Sequence, residues 1–136
     1  MPSWSGSCHC GAVRFSVTAE IAELTRCDCS LCRRRGALMA KVHESGLTLQ
    51  AGEEALVLYR WNTGVARHYF CRYCGVYPFH RKRAAPTFYG VNVGCLEAFD
   101  VAAYPHRLAD GVTMSVRPAD AFKGGARPEW TGPRGD

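Results

Sequence analysis

A chain of 136 residues, 47% of them hydrophobic, carries apolar material for one domain and not for two. The opening MPSWSGSCHCG has neither an apolar segment nor a cleavage signature, and no run approaches the roughly 20 apolar residues of a membrane span, so a cytoplasmic protein without a membrane partner is expected. The net charge of +5 is moderate and local, concentrated in Arg33-Arg34-Arg35 and Arg81-Lys82-Arg83, and such runs serve either as a solvated face or as an attractor for an anionic ligand.

Taken in chain order, AVRFSVT (12–18) places Val13, Phe15 and Val17 on one face, the period of a half-buried strand. The best short helix is Ser30 to Arg35. ESG at 44–46 and AGEE at 51–54 punctuate the chain before ALVLYRW (55–61), a second strand, and NTG at 62–64 follows it. FYGVNV (88–93) is a third strand. ADG at 109–111 precedes a fourth, VTMSV (112–116), and Pro118 to Phe122 is another short-helix candidate. No longer stretch keeps a helical period, so the class is mainly β, with one domain over 1–122. From Lys123 the sequence turns to Gly, Pro and Arg, and 123–136 is expected to be a loosely held tail anchored by Trp130.

In a reducing compartment eight cysteines stay as thiols, and their close spacings point to metal rather than disulfides. Cys8 and Cys10 in GSCHCGA and Cys71 and Cys74 in FCRYCGV are each followed by glycine, Gly11 or Gly75, which suits a tight knuckle around a thiolate. Together the two pairs offer the four thiolates of a structural zinc, with separate redox motifs or plain buried cysteines as alternatives. Cys27, Cys29 and Cys32, in CDCSLC, offer three. Three protein ligands and an exchangeable fourth position is the arrangement of a catalytic zinc, and Arg26, Arg33, Arg34 and Arg35 beside it would favour thiolate or hold carboxylates of a substrate. A fourth ligand from Cys95 or from His9, His43, His68, His80 or His106 would make the site structural instead. Cys95, at the end of an apolar strand, reads as a small buried hydrophobe.

The ordered set GSCHCGAVRF, CDCSLCRRRGA, FCRYCGVYPFHR and GVNVGCLE, from about Gly6 to about Asp100, resembles the glutathione-dependent formaldehyde-activating enzyme family, also called the centromere protein V/GFA domain family. The resemblance implies an Mss4-like (β-tent) fold of short antiparallel strands around a structural zinc at Cys8, Cys10, Cys71 and Cys74. It implies a labile, catalytic zinc at Cys27, Cys29 and Cys32. The family's reaction joins formaldehyde to glutathione, giving S-(hydroxymethyl)glutathione, formally a carbon-sulfur lyase in reverse, and another thiol or aldehyde adduct fits the same chemistry. Arg33, Arg34, Arg35 and the HRKR stretch (80–83) are then candidates for glutathione's carboxylates, with Asn92 and Tyr89 as hydrogen-bonding neighbours.

Two other readings use the same cysteines. One is a non-enzymatic zinc module whose basic stretches bind a partner, although the sequence does not interleave aromatics with Lys and Arg as a base-stacking surface would, so nucleic acid is not expected. Phe70, Tyr73, Tyr77 and Phe79 are expected to pack over the knuckle instead. The other is a thiol or zinc sensor in which Cys27, Cys29 and Cys32 lose metal on oxidation or thiol binding.

Overall fold

The computed structural model describes residues 1–60, 66–82, 85 and 87–110. The strand expected at 112–116, the helix at 118–122, the turn at 62–64 and the tail at 123–136 lie outside the described residues. Ten strands and one α-helix are present among them: β1 (Ser3–Ser7), β2 (Arg14–Thr18), β3 (Leu24–Cys27), α1 (Ser30–Arg35), β4 (Met39–His43), β5 (Leu47–Ala51), β6 (Leu56–Tyr59), β7 (Arg67–Cys71), β8 (Phe79–Arg81), β9 (Phe88–Asn92) and β10 (His106–Ala109). The class is mainly β, as the sequence implies.

A small antiparallel sheet runs β1-β2-β5, and a larger sheet of seven strands runs β10-β3-β4-β9-β8-β7-β6. The expectation of antiparallel strands needs one correction, because β10 lies parallel to β3, with His106 opposite Leu24 and Ala109 opposite Cys27. A parallel neighbour requires a long connection, and here most of the chain separates the two strands. Val13, Phe15 and Val17 are all fully buried, as their alternation demands, and they meet Leu24, Ala40, Val42, Phe79 and Val91 of the large sheet. The Phe15 ring stands edge-on to Phe79 with centroids 5.4 Å apart, the favoured aromatic geometry, and this contact locks the two sheets face to face. Full burial of one such side chain is worth roughly 1.5–3 kcal/mol.

Element boundaries follow from local hydrogen bonding. β2 starts at Arg14 rather than Ala12 because Val13 is drawn into the turn of the first cysteine pair: its N–H donates to Cys8 Sγ at 3.3 Å and its carbonyl accepts from Cys8 N–H at 3.1 Å. β6 begins after Ala55, which closes a 3-10 turn over Glu53–Ala55, and ESG likewise forms the 3-10 turn Glu44–Gly46. β9 stops at Asn92, whose Oδ1 accepts from Gly94 N–H at 3.0 Å and caps the turn Val93–Cys95. α1 matches its expected span, held at its start by Cys29 Sγ accepting from Cys32 N–H and at its end by Gly36 N–H donating to the Cys32 carbonyl.

Candidate metal centre

Cys8 and Cys10 flank the turn between β1 and β2, while Cys71 ends β7 and Cys74 lies in the turn before β8. Gly11 and Gly75 take φ of 83° and 75°, a left-handed conformation that lets the chain fold back on each pair. The fold brings the two turns together, with the four Sγ atoms all within 4.8 Å of one another. Cys8 and Cys10 Sγ are 3.6 Å apart, and Cys10 and Cys71 Sγ are 3.7 Å apart. A disulfide would need about 2.05 Å, whereas a tetrahedron with zinc–sulfur bonds of about 2.3 Å has edges of about 3.8 Å. The donor set fits a tetrathiolate zinc, and all eight cysteines are free of disulfides.

Backbone N–H groups converge on these sulfurs. Burial alone would raise the Cys74 thiol, but N–H groups of Val76 and Cys10 and hydrogen bonds from Cys71 and Cys8 outweigh it and bring it down to about 6. Burial pushes Cys71 up to about 11 despite N–H groups of Cys74 and Tyr73. The N–H groups around Cys74 thus favour its thiolate, and a bound cation would favour deprotonation of all four sulfurs.

The second group comes from one short segment. Cys27 is the last residue of β3, Cys29 caps α1 and Cys32 sits in its first turn, with their Sγ atoms also within 4.8 Å of one another. β3 pairs with β4 only at Leu24 and Thr25, so Arg26 and Cys27 diverge from that neighbour. Cys29 N–H donates to Cys27 Sγ at 3.4 Å and Cys32 N–H to Cys29 Sγ at 3.3 Å. The Cys32 thiol, opposed by burial but helped by the N–H groups of Cys32 and Leu31, lowers Cys29 to about 5. Cys32 is correspondingly raised, first by its bond to Cys29 and then by burial, and burial raises Cys27. Three soft donors clustered at this spacing fit zinc, and among the described residues no histidine, carboxylate or further cysteine joins them.

The remaining candidates distribute as follows. Cys95 is buried beside the first group, where burial and the charges of Cys8 and Cys74 raise it to about 11, and its Sγ lies 3.9 Å from the Tyr77 carbonyl. His43 and His106 make local hydrogen bonds to Ser45 and to the Val101 carbonyl, and His9 is exposed. Arg26, Arg33 and Arg34 face solvent, Arg34 folding back to the Ser30 carbonyl at 2.8 Å. Arg35 alone of the three turns inward, its guanidinium 3.9 Å from the centre of the Tyr77 ring. Arg81 pairs with Glu44 at 2.8 Å and donates to Tyr89 Oη at 2.7 Å, which places both in a structural contact. Lys82 is half-buried and held below the usual lysine range, by burial and then by Lys41, while the charges of Cys27 and Cys32 oppose the shift. Asn92 is used internally, its Nδ2 donating to the Tyr77 carbonyl at 2.8 Å. The aromatic residues do not all cover the knuckle: Tyr73 is 62% exposed and Phe79 belongs to the core.

The sequence reading missed a cluster that borders both cysteine groups along the chain, with Arg35 three residues after Cys32 and Tyr77 three residues after Cys74. His68 and His80 are register partners across β7 and β8, their rings stacked with centroids 5.1 Å apart. His80 Nδ1 bonds the Tyr77 hydroxyl, and His68 Nδ1 lies 3.4 Å from Arg35 Nη1. Burial holds both imidazoles down at about 3, reinforced at His68 by Arg35 and at His80 by His68, Lys82 and Arg35. Burial raises the Tyr77 hydroxyl, with the charges of Cys32 and Cys29 adding to it and Arg35 opposing. Beside the cluster opens a cleft of about 390 Å³, lined by Arg35 and Ala37 at the end of α1, by Phe70, by Gly75, Val76 and Tyr77 of the knuckle, and by Asn92.

Among the described residues no helix is long and apolar enough to cross a membrane. The crystal structure of a Rhodobacter sphaeroides protein is similar to this one, with a TM-score of 0.69 and 44% identity over 76% of this chain and 99% of that chain. Residues 3–110 match the family described as glutathione-dependent formaldehyde-activating enzyme.

Proposed function

The chain belongs to the glutathione-dependent formaldehyde-activating enzyme family, and from that premise we propose that it is a zinc-dependent carbon-sulfur lyase acting on glutathione or a related thiol together with formaldehyde or another aldehyde adduct. One observation carries the reading. Three sulfurs from a single short segment lie within 4.8 Å of one another, and no fourth protein donor among the described residues closes the set. A closed set of four, as at Cys8, Cys10, Cys71 and Cys74, serves structure, whereas a set of three leaves a position for substrate.

Zinc held by Cys27, Cys29 and Cys32 would supply Lewis acidity, lowering the pKa of an incoming thiol or polarising a carbonyl oxygen. In the synthetic direction a carbon-sulfur bond forms as the carbonyl π bond opens, and the proton lost from sulfur ends on oxygen. The chain's own groups prepare this step. Cys29, lowered to about 5, is a thiolate at neutral pH and needs no base to become a ligand. Half-buried Lys82, within electrostatic reach of Cys27 and Cys32, offsets the excess negative charge that three thiolates create around one dication. Tyr77, His68 and His80 stay neutral around pH 7 and so present hydrogen-bonding groups rather than charge beside the cleft. The cytoplasm, which keeps thiols reduced, is the setting that this chemistry requires.

Zinc counting and turnover together test the reading. The wild type is expected to hold two zinc ions and to release one on dialysis against millimolar glutathione. Cys29→Ser is expected to hold one, to keep its far-UV circular dichroism, and to lose formation of the hydroxymethyl adduct from formaldehyde and glutathione. If Cys29→Ser retains both metals, or unfolds, the second group is structural and the protein is a binding module instead.

A further inference from the structure

We propose that Arg35 receives a carboxylate of the thiol substrate, and so makes the protein selective for thiols that carry one; this rests on the reading that a thiol reaches the Cys27, Cys29 and Cys32 group. Three consecutive arginines on a helix turn about 100° apiece, so only one of them faces the body of the protein. That one is Arg35, three residues after Cys32 and therefore on the same helical face as a cysteine of the candidate centre. A ligand engaging the sulfur end of that face has Arg35 as a neighbouring cation along the helix.

The guanidinium is held for recognition rather than for an internal ion pair. Its Cζ sits 3.9 Å from the centre of the Tyr77 ring, and its Nη1 approaches His68 Nδ1 at 3.4 Å. Contact with an aromatic face does not by itself occupy the N–H pairs that bind a carboxylate in bidentate fashion, and the approach to His68 engages Nη1. Among the described residues no Asp or Glu pairs with it, since the ion pairs there join Arg81 to Glu44 and Arg107 to Glu23. A fixed cation therefore lines a cleft of about 390 Å³, together with two aromatic residues, Tyr77 and Phe70.

A chain of contacts fixes its position. A Cβ built at Gly90 would overlap the His80 imidazole, so glycine is what allows His80 to lie there. His80 holds the Tyr77 hydroxyl through Nδ1, Tyr77 carries Arg35 on its ring, and His68 stacks on His80 while meeting the guanidinium. Because both imidazoles remain neutral, neither repels the guanidinium nor competes with it for the anion.

The test measures binding without turnover, by calorimetric titration of the zinc-loaded full chain with S-methylglutathione, whose sulfur carries no thiol proton to lose, and with its dimethyl ester, which lacks both carboxylates. The wild type is expected to prefer the free acid by about tenfold or more, the scale of a charge-assisted bidentate contact. Arg35→Lys and Arg35→Ala are expected to lose that preference, while Arg33→Ala and Arg34→Ala keep it. Zinc content and circular dichroism establish that each variant is folded, and Arg35→Lys decides the matter if the alanine variant is not. A wild type without the preference, or a preference that survives at Arg35→Lys, overturns the proposal. A wild type that shows the preference but forms no adduct from formaldehyde and glutathione leaves this binding site standing and removes the lyase reading.

Discussion

Acidification from about pH 7.5 to about pH 5.5 should cost the fold about 3 kcal/mol through His68 and His80 alone. Burial sets the folded-state pKa of both imidazoles near 3, against an ordinary 6.5. Above 6.5 neither the folded nor the unfolded chain protonates them, and the pair adds nothing to the pH dependence. Below it the unfolded chain takes up protons that the folded chain refuses, so stability falls as pH falls, and continues to fall toward the folded values. At pH 5.5 each unfolded imidazole is about nine-tenths protonated, a difference of about 1.4 kcal/mol per residue. The assay is urea unfolding followed by intrinsic fluorescence at both pH values, with free zinc held constant by a metal buffer. His68→Asn/His80→Asn is the comparison, because an asparagine oxygen can take the place of Nδ1 without titrating. Cysteine protonation on metal release affects both proteins and cancels in the difference. The double variant should therefore lose about 3 kcal/mol less than the wild type between the two conditions. Equal losses would show that the imidazoles titrate normally in the fold, and the account of a neutral stack beside Arg35 would fail.

Cys71→Ser removes a buried cysteine from the group that bridges the two sheets, and because a structural zinc there would supply on the order of 10 kcal/mol against a total stability of about 5–15, no cooperative thermal transition should remain by circular dichroism. Gly90→Ala should displace His80, lower stability by about 1–3 kcal/mol in urea, and weaken S-methylglutathione binding by calorimetry because Tyr77 loses its partner. Glu44→Gln, which breaks an ion pair whose side chains are 26% and 46% exposed, should lower the unfolding free energy measured in urea by no more than about 1 kcal/mol.

The cysteine groups were legible in the sequence because metal ligation from C-x-C and C-x-x-C spacings is a local property, and the positive φ of Gly11 and Gly75 is local too. The alternation through Val13, Phe15 and Val17 and the short helix after Cys29 were legible for the same reason. β1 was not: SWSGS is small and polar, and it becomes a strand only because its backbone pairs with β2 from Ser3 to Ser7. Nor was β10, three of whose four residues are exposed and which is set by its parallel partner β3 rather than by a buried face. The Arg35, Tyr77, His68 and His80 cluster was invisible because it depends on the register between β7 and β8 and on which arginine of three the helix turns inward. A triplet of arginines advertised charge, and only the tertiary fold separated the one that lines the cleft from the two that meet water.

The two cysteine groups also differ in how much chain each would constrain. At the first, Cys10 meets Cys71 across 61 residues and two sheets, so a metal there closes a long loop and holds packed surfaces together. Loop-closure entropy grows with the logarithm of length, and the unfolded chain would gain that freedom if the metal left. At the second, Cys27 to Cys32 span the end of one strand and the first turn of one helix, where the backbone N–H groups of Cys29 and Cys32 already position the sulfurs. A metal leaving that segment releases no long loop and separates no buried face. Its binding free energy would therefore be largely independent of folding, whereas at the first group the two would be one quantity. On the proposed reading, exchange of a metal at Cys27, Cys29 and Cys32 would be favoured by chain topology as well as by ligand number, and a position that can gain and lose a ligand without unfolding is what chemistry on an incoming thiol requires.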